Sequence, residues 1–145
     1  MRILSVDPGS SVGWCVVDTD SPRELFQYGQ LTPADFVFAW HDLLVTVREV
    51  VCEKFIISKR TLIAQGQGVQ DTLDVEGWLR LECWRRGISF TTQRNGDVLA
   101  FSTDEKLKAL GWWDLKQARS NRDVRSACRH MLKYLVDHGF VIPVA

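Results

Sequence analysis

Three acidic residues in this chain occupy positions from which carboxylates could bind metal. Asp7 ends the apolar run Ile3-Leu4-Ser5-Val6 and is followed by the turn-forming pair Pro8-Gly9. Glu53 lies inside the apolar run Val50 to Ile57, where an ionised carboxyl is costly unless a partner or a cation meets it. Asp123 shares one helical face with Ser126 and His130, which follow it at i+3 and i+7. Carboxylates held on rigid elements are the oxygen ligands that hard divalent cations take. A pair of such cations activates water and neutralises charge in phosphodiester hydrolysis. Each acid also has a plainer explanation: Glu53 as an edge-strand or ion-paired residue, Asp123 as a first-turn acid complementing the helix dipole. His130 could be recruited as a ligand one turn beyond Ser126, but reads rather as a surface or packing residue, because neutral imidazole suits magnesium poorly.

The elements that must carry these side chains follow from pattern. The apolar run of Ile3, Leu4 and Val6 ending in Asp7 and the run Gly13 to Val17 read as a hairpin, and Leu25 to Gly29 as a third strand. Thr32, Pro33 and Asp35 form an N-cap, an N1 proline and a first-turn acid, opening a helix predicted to reach Arg48 with Phe36, Trp40, Leu43, Leu44 and Val47 as its buried stripe. A strand over Val50–Ile57 and a polar connection over 58–70, expected to be mobile, precede a helix from Asp71 to Arg86 that ends at Gly87. Ile88–Thr92 is a further strand. Thr103 caps a short helix through Leu110, and Asn121–Asp137 is the last helix, closed by Gly139. The order β-β-β-α-β-α-β-α-α predicts an α/β mixed sheet with helices on both faces.

The opening MRILSVDPGSSVGWCVVD resembles the first strand of the RuvC-like Holliday junction resolvases, of the RNase H-like superfamily. VVCEKFIIS, DTLDVEGWLRLE, DEKLKALGWW and DVRSACRHMLKYLVDHG continue the likeness in order to about Gly139, and together they resemble the small resolvases of actinobacteriophages. The resemblance implies a five-stranded mixed sheet flanked by helices and a structure-selective, metal-dependent endodeoxyribonuclease acting on four-way junctions or other branched DNA. It implies that Asp7, Glu53 and Asp123 are catalytic, with Asp7 bridging two magnesium ions, Glu53 holding the second and Asp123 the first. Manganese is expected to substitute for magnesium. One departure stands out: Ser126 occupies a place where relatives carry an Asp, and its hydroxyl is a weak ligand, acting directly or through water. A protein that grips branched DNA without cutting it is therefore the alternative. A hybrid-cleaving ribonuclease H shares the chemistry and leaves no short motif to separate it.

Length and composition fit one domain over residues 1–145, with 46% hydrophobic and 25% charged residues. No signal peptide, membrane span or Walker-type loop is evident, so a cytoplasmic protein is expected, in the host cytoplasm if phage-encoded, with no membrane partner and no nucleotide cofactor. Cys15, Cys52, Cys83 and Cys128 form no CxxC pair and read as buried free thiols. Net charge is zero, which alone argues against nucleic acid, but its distribution is uneven. Residues 1–53 hold three arginines against eight acids, net −5, and residues 54–145 fifteen basic residues against ten acids, net +5. Lys59, Arg60, Arg94, Lys116, Arg119, Arg122, Arg125 and Arg129 cluster near the proposed acids and are the candidate DNA contacts. Two symmetric nicks call for a two-fold homodimer, with Trp78, Leu81 and Trp84 as its candidate surface.

Overall fold

The computed structural model describes residues 1–59, 66–116 and 121–140. Five strands, β1 (Arg2–Asp7), β2 (Val12–Asp18), β3 (Leu25–Leu31), β4 (Glu49–Glu53) and β5 (Ser89–Gln93), form one sheet in the order β3-β2-β1-β4-β5. The hairpin makes β1 and β2 antiparallel, β3 continues antiparallel on β2, and β4 and β5 run parallel to β1. With helices on both faces, this is the five-stranded mixed sheet that the resemblance implied.

The alternation of each strand divides the molecule into two cores. Leu4, Val6, Val16, Val50 and Cys52 face α1 (Pro33–Leu43) and α2 (Gln67–Arg86), where they meet Phe36, Trp40, Val75 and Leu79. Ile3, Cys15, Val17 and Val51 face the last helix, α5 (Asn121–Asp137), and pack on Val124, Ala127, Cys128 and Met131. The intervening polar position of β1, Ser5, is fully buried and donates to the Ala127 carbonyl of α5 at 2.7 Å. All four cysteines are buried and free. Among the described residues no helix is long and apolar enough to cross a membrane.

Several boundaries differ from expectation, each for a local reason. Helix α1 ends at Leu43 rather than Arg48: a 3-10 turn, Leu44–Thr46, follows it, the Thr46 hydroxyl donates to the Leu43 carbonyl at 2.8 Å, and Val47 is extended. The β-branched run Val45-Thr46-Val47 is poor helix material, and Leu43, expected in the buried stripe, is 40% exposed. Strand β4 stops at Glu53 because β1 and β5 end beside it, at Asp7 and Gln93, leaving Ile56 and Ile57 exposed. Helix α2 begins at Gln67, inside the connection expected over 58–70, most of whose remainder lies outside the described residues. A helix not anticipated, α3 (Asn95–Phe101), buries Val98 and precedes α4 (Asp104–Leu110). The turn-rich start Asn95-Gly96-Asp97 conceals it. The Thr32 and Thr103 caps and the left-handed Gly87 stand as expected.

Gly13 shows why α5 sits as close as it does. A Cβ built there would lie 2.1 Å from the Asp123 carbonyl oxygen, so only glycine lets the first turn of α5 rest on β2. Gly13→Ala is expected to destabilise the fold by about 3 kcal/mol or more, measured by denaturant unfolding. A loss below about 1 kcal/mol would show that α5 docks more loosely than this contact requires.

Candidate metal centre

The β1–β4 register pairs Val6 with Cys52, so Asp7 and Glu53, each one residue further along, stand side by side where the parallel strands end. Both point to the α5 face, two residues on from Ser5 and Val51 respectively. Adjacency of these two carboxylates depends on β4 pairing with β1, a long-range fact that neither strand's own sequence carries. Helix α5 then supplies Asp123 and Ser126, and all four residues line one open cavity of about 720 Å³.

The electrostatics of this cluster are those of closely placed carboxyl groups that resist joint ionisation. Burial holds the Asp7 carboxyl well above the ordinary range, and contact with the Glu53 carboxyl and the charge of Asp123 push the same way. A hydrogen bond between Ser126 and Asp7 opposes the shift. Asp123 is fixed from the far side: Gln30 of β3 donates to its Oδ2 at 3.2 Å, and the same amide donates to the Ser11 hydroxyl in the β1–β2 turn. Gln30 and Ser11 were not among the residues predicted for the site. Their only signals are a polar position in a strand for Gln30 and a polar turn residue for Ser11, which by themselves single out nothing.

The donor set is all oxygen, as hard cations require, and mutual repulsion of the acids is the energy a cation would relieve. Asp7 and Glu53 would hold a divalent ion directly, with Asp123 facing them from α5 and Ser126 supplying a hydroxyl. Among the described residues no three His, Cys, Asp or Glu side chains are drawn close enough to ligate one ion as a group.

The predicted basic residues divide. Arg122, Arg125 and Arg129 line the cavity with the acids. Arg125 lies over the Trp113 ring at 3.8 Å and donates to the Trp113 carbonyl at 2.7 Å, while Arg129 donates to the Ser102 carbonyl at 2.6 Å and pairs with Asp104. Lys59, Arg94 and Lys116 are exposed, and Arg60 and Arg119 lie outside the described residues. His130 is fully buried, the packing alternative of its expected surface or packing role. Of the candidate dimer residues, Leu81 and Trp84 are 65% and 83% exposed, whereas Trp78 packs edge-on against Phe36.

A raised carboxyl pKa gives a signed prediction for the metal-free chain. The folded state retains a proton that the unfolded chain has released, so this group's contribution to stability declines as pH rises from the ordinary carboxylate range through the raised value. Asp7→Asn removes the repulsion, and in chelator at pH 8 the variant is expected to melt above the native chain. An equal or lower melting temperature would contradict the strain assigned to Asp7.

No family model matches the chain, and no curated protein matches it by sequence. Solved structures do. T. thermophilus RuvC in complex with a Holliday junction substrate superposes with a TM-score of 0.67 at 15% identity, covering 99% of each chain. A second Thermus thermophilus RuvC structure gives 0.63 at 16% identity, covering 99% of this chain and 100% of that one. The mixed sheet that brings Asp7 beside Glu53 is the fold of RuvC.

Proposed function

We propose that this chain is a metal-dependent, structure-selective endodeoxyribonuclease that resolves Holliday junctions or other branched DNA. The observation that carries the proposal is the contact between the Asp7 and Glu53 carboxyls at the end of two parallel strands, with Asp123 and Ser126 brought onto them by α5 in an arginine-lined cavity. The likeness in fold to a protein solved with a Holliday junction supports the same substrate class, and the motif series supports a phage-type resolvase.

A divalent cation, magnesium or manganese, would be held by Asp7, Glu53 and Asp123 and would supply a polarised water and charge neutralisation at the scissile phosphate. The chain's own contribution is placement. Asp7 and Glu53 are fixed by sheet pairing, Asp123 by Gln30, and Ser126 by its contact with Asp7. Arg122, Arg125 and Arg129 line the cavity where phosphates would approach, and exposed Lys59, Arg94 and Lys116 would extend the basic surface toward the duplex arms; Arg60 and Arg119 are proposed as DNA contacts from the sequence alone. Work as a homodimer would place two such sites in two-fold relation, with exposed Leu81 and Trp84 as the apolar patch between subunits.

The test is nicking of a labelled four-way junction and of its linear duplex, by the native chain and by Asp7→Asn. Paired nicks in the junction, lost by more than about 100-fold in the variant, are expected, since removing a ligand should cost more than removing a ligand's partner. Manganese is expected to support faster nicking than magnesium, because Ser126 provides a neutral hydroxyl where a charged ligand would satisfy the stricter ion. Equal or slower nicking with manganese would count against a first-metal site weakened at Ser126.

One observation favours a second reading, in which the chain holds branched DNA without cutting it: the hydroxyl of Ser126 engages Asp7 where a further carboxylate would complete the set. Tight junction binding without nicks under either metal, with cleavage appearing in Ser126→Asp, would establish that reading.

A further inference from the structure

We propose that His130 is a positioning residue for Glu53, held in place by Gln93, and that it sets the metal affinity of the site; the proposal rests on the metal-dependent reading above. His130 lies on α5 one turn beyond Ser126 and is completely buried. Its Nδ1 is 3.0 Å from Gln93 Oε1. Its Nε2 is sealed from solvent, has no hydrogen-bond partner among the described residues, and stands 4.0 Å from Glu53 Oε2. A buried ring nitrogen without a partner is uncommon and calls for a role.

The sheet explains why these three groups meet. Glu53 and Gln93 are register partners on the parallel strands β4 and β5, and α5 lays His130 across both. The amide of Gln93 can either accept from or donate to Nδ1. As placed, Oε1 accepts from Nδ1–H; with the amide turned over, its nitrogen donates to Nδ1, and the ring hydrogen resides on Nε2 and points at Glu53. The Glu53 carboxylate, with 23% of its side chain exposed, has room to close the remaining distance. Ligating carboxylates are commonly held in this way by a hydrogen-bonding neighbour. The neighbouring basic residue on the helix, Arg129, is committed to Ser102 and Asp104. His130 thus gives Glu53 a support that Asp7 receives from Ser126 and Asp123 from Gln30.

Binding of Mn²⁺ alone to the full chain, measured by titration calorimetry for the native protein, His130→Leu, His130→Gln and Asp7→Asn, tests this without relying on cleavage. Melting curves in chelator establish that each variant is folded. His130→Leu is expected to weaken Mn²⁺ binding by about 10- to 100-fold. His130→Gln, whose amide can still donate toward Glu53, is expected to recover part of the loss. Binding by His130→Leu within two-fold of native, or a Gln variant no better than Leu, would overturn the proposal. Should His130→Leu fail to fold, Gln93→Leu takes its place: weakened binding supports the positioning role and unchanged binding overturns it. Native binding that is abolished in Asp7→Asn but indifferent to His130 would sink the positioning role alone, whereas a native chain that binds no Mn²⁺ would sink it together with the metal centre.

Discussion

The diagonal crossing of α5 over the sheet is the constraint on which the rest of the site depends. As the helix advances it meets the strands in spatial order. Asp123 stands by Gln30 of β3 and the Ser11 turn, Ser126 by Asp7 of β1, and His130 by Glu53 of β4 and Gln93 of β5. Spacings of three and four residues on the helix thereby become successive positions along a sheet edge. Two features set the height of the crossing. Gly13 lets the backbone of Asp123 press on β2, and buried Ser5 ties β1 to the Ala127 carbonyl. Apolar packing of Val124, Ala127, Cys128 and Met131 on Ile3, Cys15 and Val51 supplies the adhesion.

That adhesion has to offset a local cost. Packing of α5 beside Asp7 buries a carboxyl next to another carboxyl, and the Asp7 pKa rises as a result. Strain of this kind concentrates at functional sites and persists only where surrounding structure over-determines it. Here the surroundings do so: two apolar cores grip the sheet from both faces, and Arg125 and Arg129 of α5 are anchored to Trp113, Ser102 and Asp104 on neighbouring elements. An arginine fixed by carbonyls and a ring keeps its charge near the acids without collapsing onto them.

Much of this was legible in the chain because it is local. The Pro8-Gly9 turn after an apolar run, the Thr32 and Thr103 caps, and the Asp123-Ser126-His130 spacing each rest on a few consecutive residues. What escaped was either non-local or ambiguous. Glu53 reads equally as an ion-paired strand acid until β4 pairs with β1. Gln30 and Gln93 are unremarkable amides until the sheet order places them beside Asp123 and His130. The overrun of α1 toward Arg48 came from an apolar period that continues through Val47 after the β-branched run has ended the helix, and α3 was hidden by turn-forming residues at its start. His130, read as a surface or packing residue, is the packing one, because the helical face that carries the acids is the one that packs on the sheet.

The most direct test of the central claim, that Asp7, Glu53 and α5 together form a divalent-cation site, is anomalous diffraction from crystals soaked in manganese. An anomalous peak is expected between the Asp7 and Glu53 carboxylates on the side facing Asp123. Absence of a peak there at saturating manganese, or manganese bound only elsewhere on the surface, would contradict it.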